Sequence, residues 1–251
     1  MDEIPVTASP AAGLTQWQRV AYAFSAPGRT FEDIRRGNRS WWLPLVVLSL
    51  AGYILFGVVA EQIGIRQAVV NQIQMSARSQ DQLAQASPEQ KEKMYRIGEG
   101  VTRVAFVASP ALGMLYALAI AAVLMGTINF GFAGRARFSE VFAVVYYAWL
   151  PQLVKVLLGI VVIYAGMAPE SFNMKNFAPT NVGAFLDPMD TNRALYALAT
   201  ACDAVTIWMA ALMSIGVATV AGVKRSAGYI AVFGWWLIVV FFKVVTASLL
   251  G

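Results

Sequence analysis

Apolar and polar positions separate into long blocks along this chain. Trp41 to Ala60 and Val104 to Gly134 carry no charge, Val141 to Pro169 holds only Lys155, Ala194 to Val223 only Asp203, and Ser226 to Gly251 only Lys243. Each block reaches the length of about 20 mainly apolar residues that crosses a bilayer. Hydrophobicity continues around each of them instead of forming one stripe, as it does in helices surrounded by lipid or by other helices. The pattern predicts an all-α integral membrane protein, a bundle of five transmembrane helices with an extramembrane helical hairpin between helices 1 and 2. The expected spans are 41–61, 104–132, 139–167, 194–222 and 228–250, with the outward hairpin at 62–103. Residues 1–40 form a cytoplasmic N-terminal arm, and 41–251 the membrane domain.

Within the arm, the first 13 residues are Pro, Ala and small polar residues and read as a disordered tail. Leu14, Trp17, Ala21 and Phe24 then recur at three- and four-residue spacing, which fits a short helix lying in the membrane interface. Pro27 and Gly28 should stop it, and Thr30 with Asp33 offers an N-cap for a second short helix. In the hairpin, Ile65, Val69 and Ile73 keep a helical period. Ser87-Pro88-Glu89-Gln90 combines an N-cap, Pro at the first helical position and a capping-box Gln, placing a break near Ala86. Between the third and fourth spans, a loop rich in Phe and Pro should fold back on the bundle mouth.

Charge sets the orientation. Arg19, Arg29, Arg35, Arg36, Arg39, Arg135, Arg137, Lys224 and Arg225 fall on one side if five helices alternate, in short connections and near span ends. The other side carries eight cations with eight carboxylates over two long loops. The positive-inside rule weighs short loops most, so the N-terminus is expected inside, the C-terminus outside, and the location a cell (inner) membrane. The excess of 19 Lys and Arg over 14 Asp and Glu then reflects loops facing anionic lipid, and no nucleic acid is expected as a partner.

Three intramembrane charges stand out, because each costs about 2.5–3.5 kcal/mol at a helix centre and should face protein or water. At 1.5 Å rise per residue, Asp203 lies roughly 15 Å and Lys155 roughly 15–20 Å from the outer ends of their helices, and Lys243 roughly 12 Å from its own. Lys155 and Asp203 are therefore expected to pair, with Lys243 a second donor or snorkelling outward. Such a cluster serves either as glue between helices or as an ion relay. Pro110 and Pro151 should kink the second and third spans. Gly113, Ala117 and Ala121, and again Ala210, Ser214, Ala218 and Gly222, form small faces for close helix approach, within the chain or between copies.

Much chemistry is excluded. The chain has no histidine and one cysteine, Cys202, so it lacks a Ser/His/Asp or Cys/His pair and a thiolate cluster. A single carboxylate within the spans does not make an aspartyl dyad. There is no GxxxxGK[ST] loop for a nucleotide. No enzyme, metal or cofactor is expected.

Phe24, Pro27, Phe31 and Ile34 resemble a Phe-x-x-Pro-x-x-x-Phe-x-x-hydrophobic approach to the first span. The stretch GRARFSEVFAVVYYAWLP, with Gly134, Phe138, Tyr147 and Pro151, resembles the glycine and aromatic pattern leading into a third helix. In this order they are similar to the Yip family of small five-span membrane proteins, named in eukaryotes for interaction with Ypt/Rab GTPases and abundant in bacteria. The DLYGP-like motif typical of eukaryotic members does not occur here, so the resemblance points to the bacterial branch and does not carry Rab binding. The resemblance implies the fold and transfers no defined biochemical activity; the functional reading is a non-enzymatic membrane scaffold or adaptor of the Yip-like type, in membrane organisation or partner assembly. The alternative from the charges is a small transporter or channel subunit using Asp203 and Lys155. Besides the lipid bilayer, a protein partner would meet the N-terminal arm or the outward hairpin, and the small faces also suit a homo-oligomer.

Overall fold

The computed structural model describes residues 13–75 and 82–249, so the expected disordered tail lies outside the described residues except for Gly13. Among the described residues the regular structure is helical. In chain order it comprises α1 (Gln16–Ser25), α2 (Pro27–Arg35), α3 (Trp42–Val58, prolonged by a π-helical turn Val59–Ile63), α4 (Ile65–Gln74), α5 (Pro88–Val107) and α6 (Ser109–Gly131). It continues with α7 (Phe138–Ala148), α8 (Gln152–Tyr164), α9 (Arg193–Ala201), α10 (Ala204–Ala221) and α11 (Arg225–Leu249). Five stretches are long and apolar enough to cross a membrane: Trp42–Ile63, Ser109–Gly131, Phe138–Tyr164, Ala204–Ala221 and Arg225–Leu249. The protein is an all-α, multi-pass membrane protein.

The third and fourth of these stretches are 61% and 56% buried, against 11% for the fifth, and within the third the burial lies in α7, so α7 and α10 form the centre. Val141 through Ala148 on α7 are buried without interruption, which explains why this segment is apolar all round. α11 packs closely on α10, because Gly228 lies against the Ser214 carbonyl and Ala218 and leaves no room for a Cβ. The small face at Ala210, Ser214 and Ala218 is thus filled inside the chain, and Gly222 closes α10 in the left-handed conformation with φ 70°.

Three expected spans are broken. Pro151 separates α7 from α8, and the fourth span divides at Cys202-Asp203 into α9 and α10. Near Pro110 the helix is also interrupted, at Ala108 between α5 and α6. Pro110 stands in the first turn of α6, where its missing N–H has no intrahelical partner to lose.

In the arm, Thr15 caps α1, accepting from Gln18 N while Gln18 Oε1 accepts from Thr15 N. The second helix begins at Pro27 and not at Thr30, since proline's fixed φ already suits the first helical turn. Thr30 lies within α2, and its hydroxyl donates to the Arg19 carbonyl at 2.9 Å. On the apolar face of α1, Trp17 is 67% exposed, whereas Phe24 turns in against Trp208 and the core. The opposite face of α1 and α2 enter the bundle, where Phe31 and Ile34 are fully buried. Phe31 occupies the space beside Gly216 of α10 and Val144 of α7, which a Cβ at Gly216 would strike.

Between the first two candidate spans, α4 and α5 pair through the Gly98–Val69 contact and through Arg66, which bonds Glu92 and lies 3.6 Å from Glu99. Ser87 caps α5 in a capping box with Gln90.

Candidate functional site

Asp203 does not lie within the fourth candidate span but caps its first turn, just before Ala204, because the expected span breaks there, and at this break it meets Lys155 of the third candidate span. Asp203 has extended backbone and caps α10, its Oδ1 accepting from Thr206 N at 2.8 Å. Its Oδ2 accepts from Lys155 Nζ at 2.9 Å, from the Thr180 hydroxyl, and from Asn181 Nδ2 at 3.3 Å. The loop after α8 is held to this break by its backbone as well. Asn181 and Asp203 form an isolated antiparallel bridge, and Ala204 N donates to the Thr180 carbonyl at 2.9 Å. With only 2% exposure, the carboxylate accepts four bonds, three at Oδ2 and one at Oδ1, from α8, the loop and α10.

Lys155 reaches Asp203 beneath the Phe177 ring, whose centroid is 5.9 Å from Nζ. Glycine at 159, one turn further along α8, is required by the approach of Phe177, since a Cβ there would meet the ring. Lys243 does not bond Asp203. Its Nζ donates to Thr200 Oγ1 at 3.0 Å, three residues before the aspartate. The structure therefore brings Lys155 and Asp203 together and leaves Lys243 one side chain away. Thr180, Asn181 and Asn176 were not singled out from sequence. The two asparagines exchange amide bonds at 2.7 and 3.3 Å, and such loop amides give no periodic pattern to find them by.

The same loop is tied to the hairpin. Asn71 of α4, 1% exposed, donates to the Pro169 and Phe172 carbonyls at 2.7 and 2.9 Å. Asn71→Ala would leave both acceptors without this donor, at about 1–3 kcal/mol for a buried unsatisfied group. Faster amide exchange is expected through residues 166–192 with α7 unchanged, and unchanged exchange in that loop would contradict the tie.

At the opposite end of the bundle a second polar cluster fixes the arm. Arg19 is fully buried, its Nη1 donating to the Asn38 carbonyl at 2.6 Å and its Nε lying 3.6 Å from Asp33 Oδ2. The guanidinium also covers the Tyr147 ring, 5.1 Å from the centroid. Burial pushes Arg19 below its usual pKa, opposed by Tyr147 and by the Asp33 carboxylate. Asp33 accepts in addition from Leu14 N and Asn38 Nδ2. Beside this cluster, Arg39 grips Glu140 Oε1 through Nε and Nη2 at 3.2 and 2.8 Å. Glu140 Oε2 accepts from Arg137 N in the first turn of α7, a favourable place for an anion.

The motif residues meet around this end. Phe24 stands edge-on to Trp208 at 5.8 Å, Pro27 begins α2, and Phe31 and Ile34 fill the core. Gly134 fits against Ala221 and the Ile128 carbonyl, Phe138 stacks on Phe142 at 6.0 Å, and the Tyr147 hydroxyl donates to Gln16. Pro151 stands apart, at the break between α7 and α8. A family model described as the Yip1 domain matches residues 21–247. The chain belongs to the Yip1 domain family. That match begins inside α1 and ends inside α11, so the family unit includes the docked arm together with the spans. Neither a curated protein nor a solved structure matches the chain. Among the described residues no group of three or more His, Cys, Asp or Glu is placed to hold a metal ion.

Proposed function

We propose that this Yip1 domain protein is a non-enzymatic membrane scaffold or adaptor of the bacterial branch. It would act in membrane organisation or partner assembly from a cell (inner) membrane, with its N-terminus cytoplasmic and its C-terminus outside. The observation that carries this reading is the closure of the Lys155–Asp203 site. A relay carboxylate has to exchange protons with water, whereas Asp203 is 2% exposed and accepts from Lys155, Thr180, Asn181 and the Thr206 amide. An ammonium partner also favours the ionised carboxylate and opposes cycling. The orientation is supported by the arginines of α2, the α6–α7 connection and the α10–α11 connection, which all belong to one end of the spans.

Partner contact is assigned to the arm, whose exposed face presents Trp17 while its other face is anchored by Arg19. Proteoliposomes provide the test. Vesicles holding the purified full chain are expected to pass protons and small ions no faster than empty vesicles. Flux that Asp203→Asn abolishes, in protein that remains folded, would establish the transporter reading instead.

A further inference from the structure

We propose that Arg35, Arg135, Lys224 and Arg225 form a binding site for the phosphate of an anionic phospholipid headgroup. The four come from three separate segments and meet around Gly222, where α10 ends. Arg135 is placed there by its own backbone, whose N–H donates to the Ala221 carbonyl at 3.1 Å, and by Gly134, which packs on Ala221. Arg35, the last residue of α2, brings Nη2 to 4.0 Å from where a Cβ at Gly222 would lie. Lys224 and Arg225 follow in the turn into α11. All four residues are exposed.

The protein itself leaves this charge unbalanced. At this end of the spans, the described part of the arm and the two connections carry nine Arg and Lys residues and only three carboxylates, Glu32, Asp33 and Glu140. Asp33 is engaged by Arg19 and Glu140 by Arg39, while Glu32 lies 3.6 Å from Arg35 and 3.5 Å from Arg36. Arg135, Lys224 and Arg225 have no carboxylate within 4 Å among the described residues, and their side chains donate no hydrogen bond there. The hairpin differs, since Arg66 and Arg103 have Glu92 and Glu99 beside them. Like charges gathered at one point repel one another, and an anion among them relieves that repulsion. Depth identifies the anion. Ala221 ends one candidate span, Arg225 begins the next, and Arg135 lies between the end of a third at Gly131 and the start of a fourth at Phe138. The cluster therefore stands where the apolar segments stop and the phosphates of one leaflet begin. Tyr229, one turn into α11 and 39% exposed, is an aromatic ring of the kind found at that level. Guanidinium groups match phosphate oxygens in a two-pronged geometry, and lysine adds a point charge. The site goes beyond the scaffold reading and is present in either orientation of the chain.

Native mass spectrometry of the full chain in detergent, with added phosphatidylglycerol or phosphatidylcholine of the same acyl chains, tests the site. The parent is expected to retain phosphatidylglycerol several-fold more than phosphatidylcholine, whose own ammonium offsets its phosphate. Combining Arg135→Gln, Lys224→Gln and Arg225→Gln should bring that ratio close to unity. Combining Lys93→Gln, Arg96→Gln and Lys175→Gln removes the same charge from exposed positions in α5 and the loop after α8, and should leave the ratio unchanged. A ratio near unity in the parent would overturn the proposal. So would equal losses in the two triple variants, because net charge alone would then attract the lipid. Inorganic phosphate, added as a competitor, is expected not to displace phosphatidylglycerol; displacement at equal concentration would mark a site for a free anion and reject the lipid. If the site variant does not fold, Arg135→Gln alone must still lower the ratio, and an unchanged ratio rejects the site.

Discussion

Asp203→Ala is expected to destabilise the protein by about 3–5 kcal/mol, the range for removing one partner of a buried ion pair. Three losses coincide at this residue. Lys155, whose side chain is 15% exposed, keeps its charge in a site that no longer balances it. The hydroxyl of Thr180 and the amide of Asn181 lose their acceptor, and α10 loses its cap, which alone is worth about 1 kcal/mol. Asp203→Asn separates these terms, because asparagine caps helices as well as aspartate does but leaves Lys155 uncompensated. The asparagine variant should therefore fall between the parent and the alanine variant. Thermal unfolding in one detergent checks the order, and an alanine variant as stable as the parent would show that the pair holds nothing together.

Phe31→Ala is the second large effect, about 3–5 kcal/mol for truncating a buried aromatic side chain. Phe31 is fully buried between Gly216 and Val144, so a void would open where α2 meets α7 and α10. The consequence should be local before it is global. Release of the arm would free its backbone for trypsin cleavage after Arg29 and Arg35, whose side chains are already exposed, at temperatures where the spans remain folded. Arg36→Gln is the control, since that side chain is 68% exposed and surface changes stay within about 0.5 kcal/mol. Equal trypsin sensitivity in the parent and in Phe31→Ala would mean that the arm is not held by this contact.

These two sites also separate what could be read from the chain from what could not. The membrane helices were legible because their signal is local, a run of uncharged residues long enough to span lipid. The division at Asp203 was not, since Ala-Cys-Asp-Ala contains neither proline nor glycine, and the apolar run continues on both sides. The break depends on a cap and on pairing with Thr180 and Asn181 more than twenty positions away along the chain. Lys155 and Asp203 could be matched by depth alone because each is the lone charge of its apolar run. Asn71 and Thr180 are ordinary loop or helix-surface residues by type, and only the fold gives them partners.

The arm shows the same limit from another side. Periodicity identified α1 and its outward face at Trp17, but the pattern that makes one face apolar assigns Arg19 to water. Arg19 is buried because Tyr147, Asn38 and Asp33 surround it, and Arg39 finds Glu140 across 101 positions. No local rule connects those residues. The motif positions around Phe31 and Tyr147 did identify the right family, and the structure supplies a physical reason for their grouping, which is the entry of α2 between the central helices.

A double-mutant cycle on Lys155 and Asp203 tests most directly whether this pair serves as a structural tie. The unfolding free energies of the parent, Lys155→Met, Asp203→Asn and the double variant would be compared in one detergent. The double variant is expected to lose less stability than the two single losses sum to, with a coupling of about 0.5–3 kcal/mol, as for residues in one salt-bridge network. Additive losses, with no coupling beyond error, would contradict the tie.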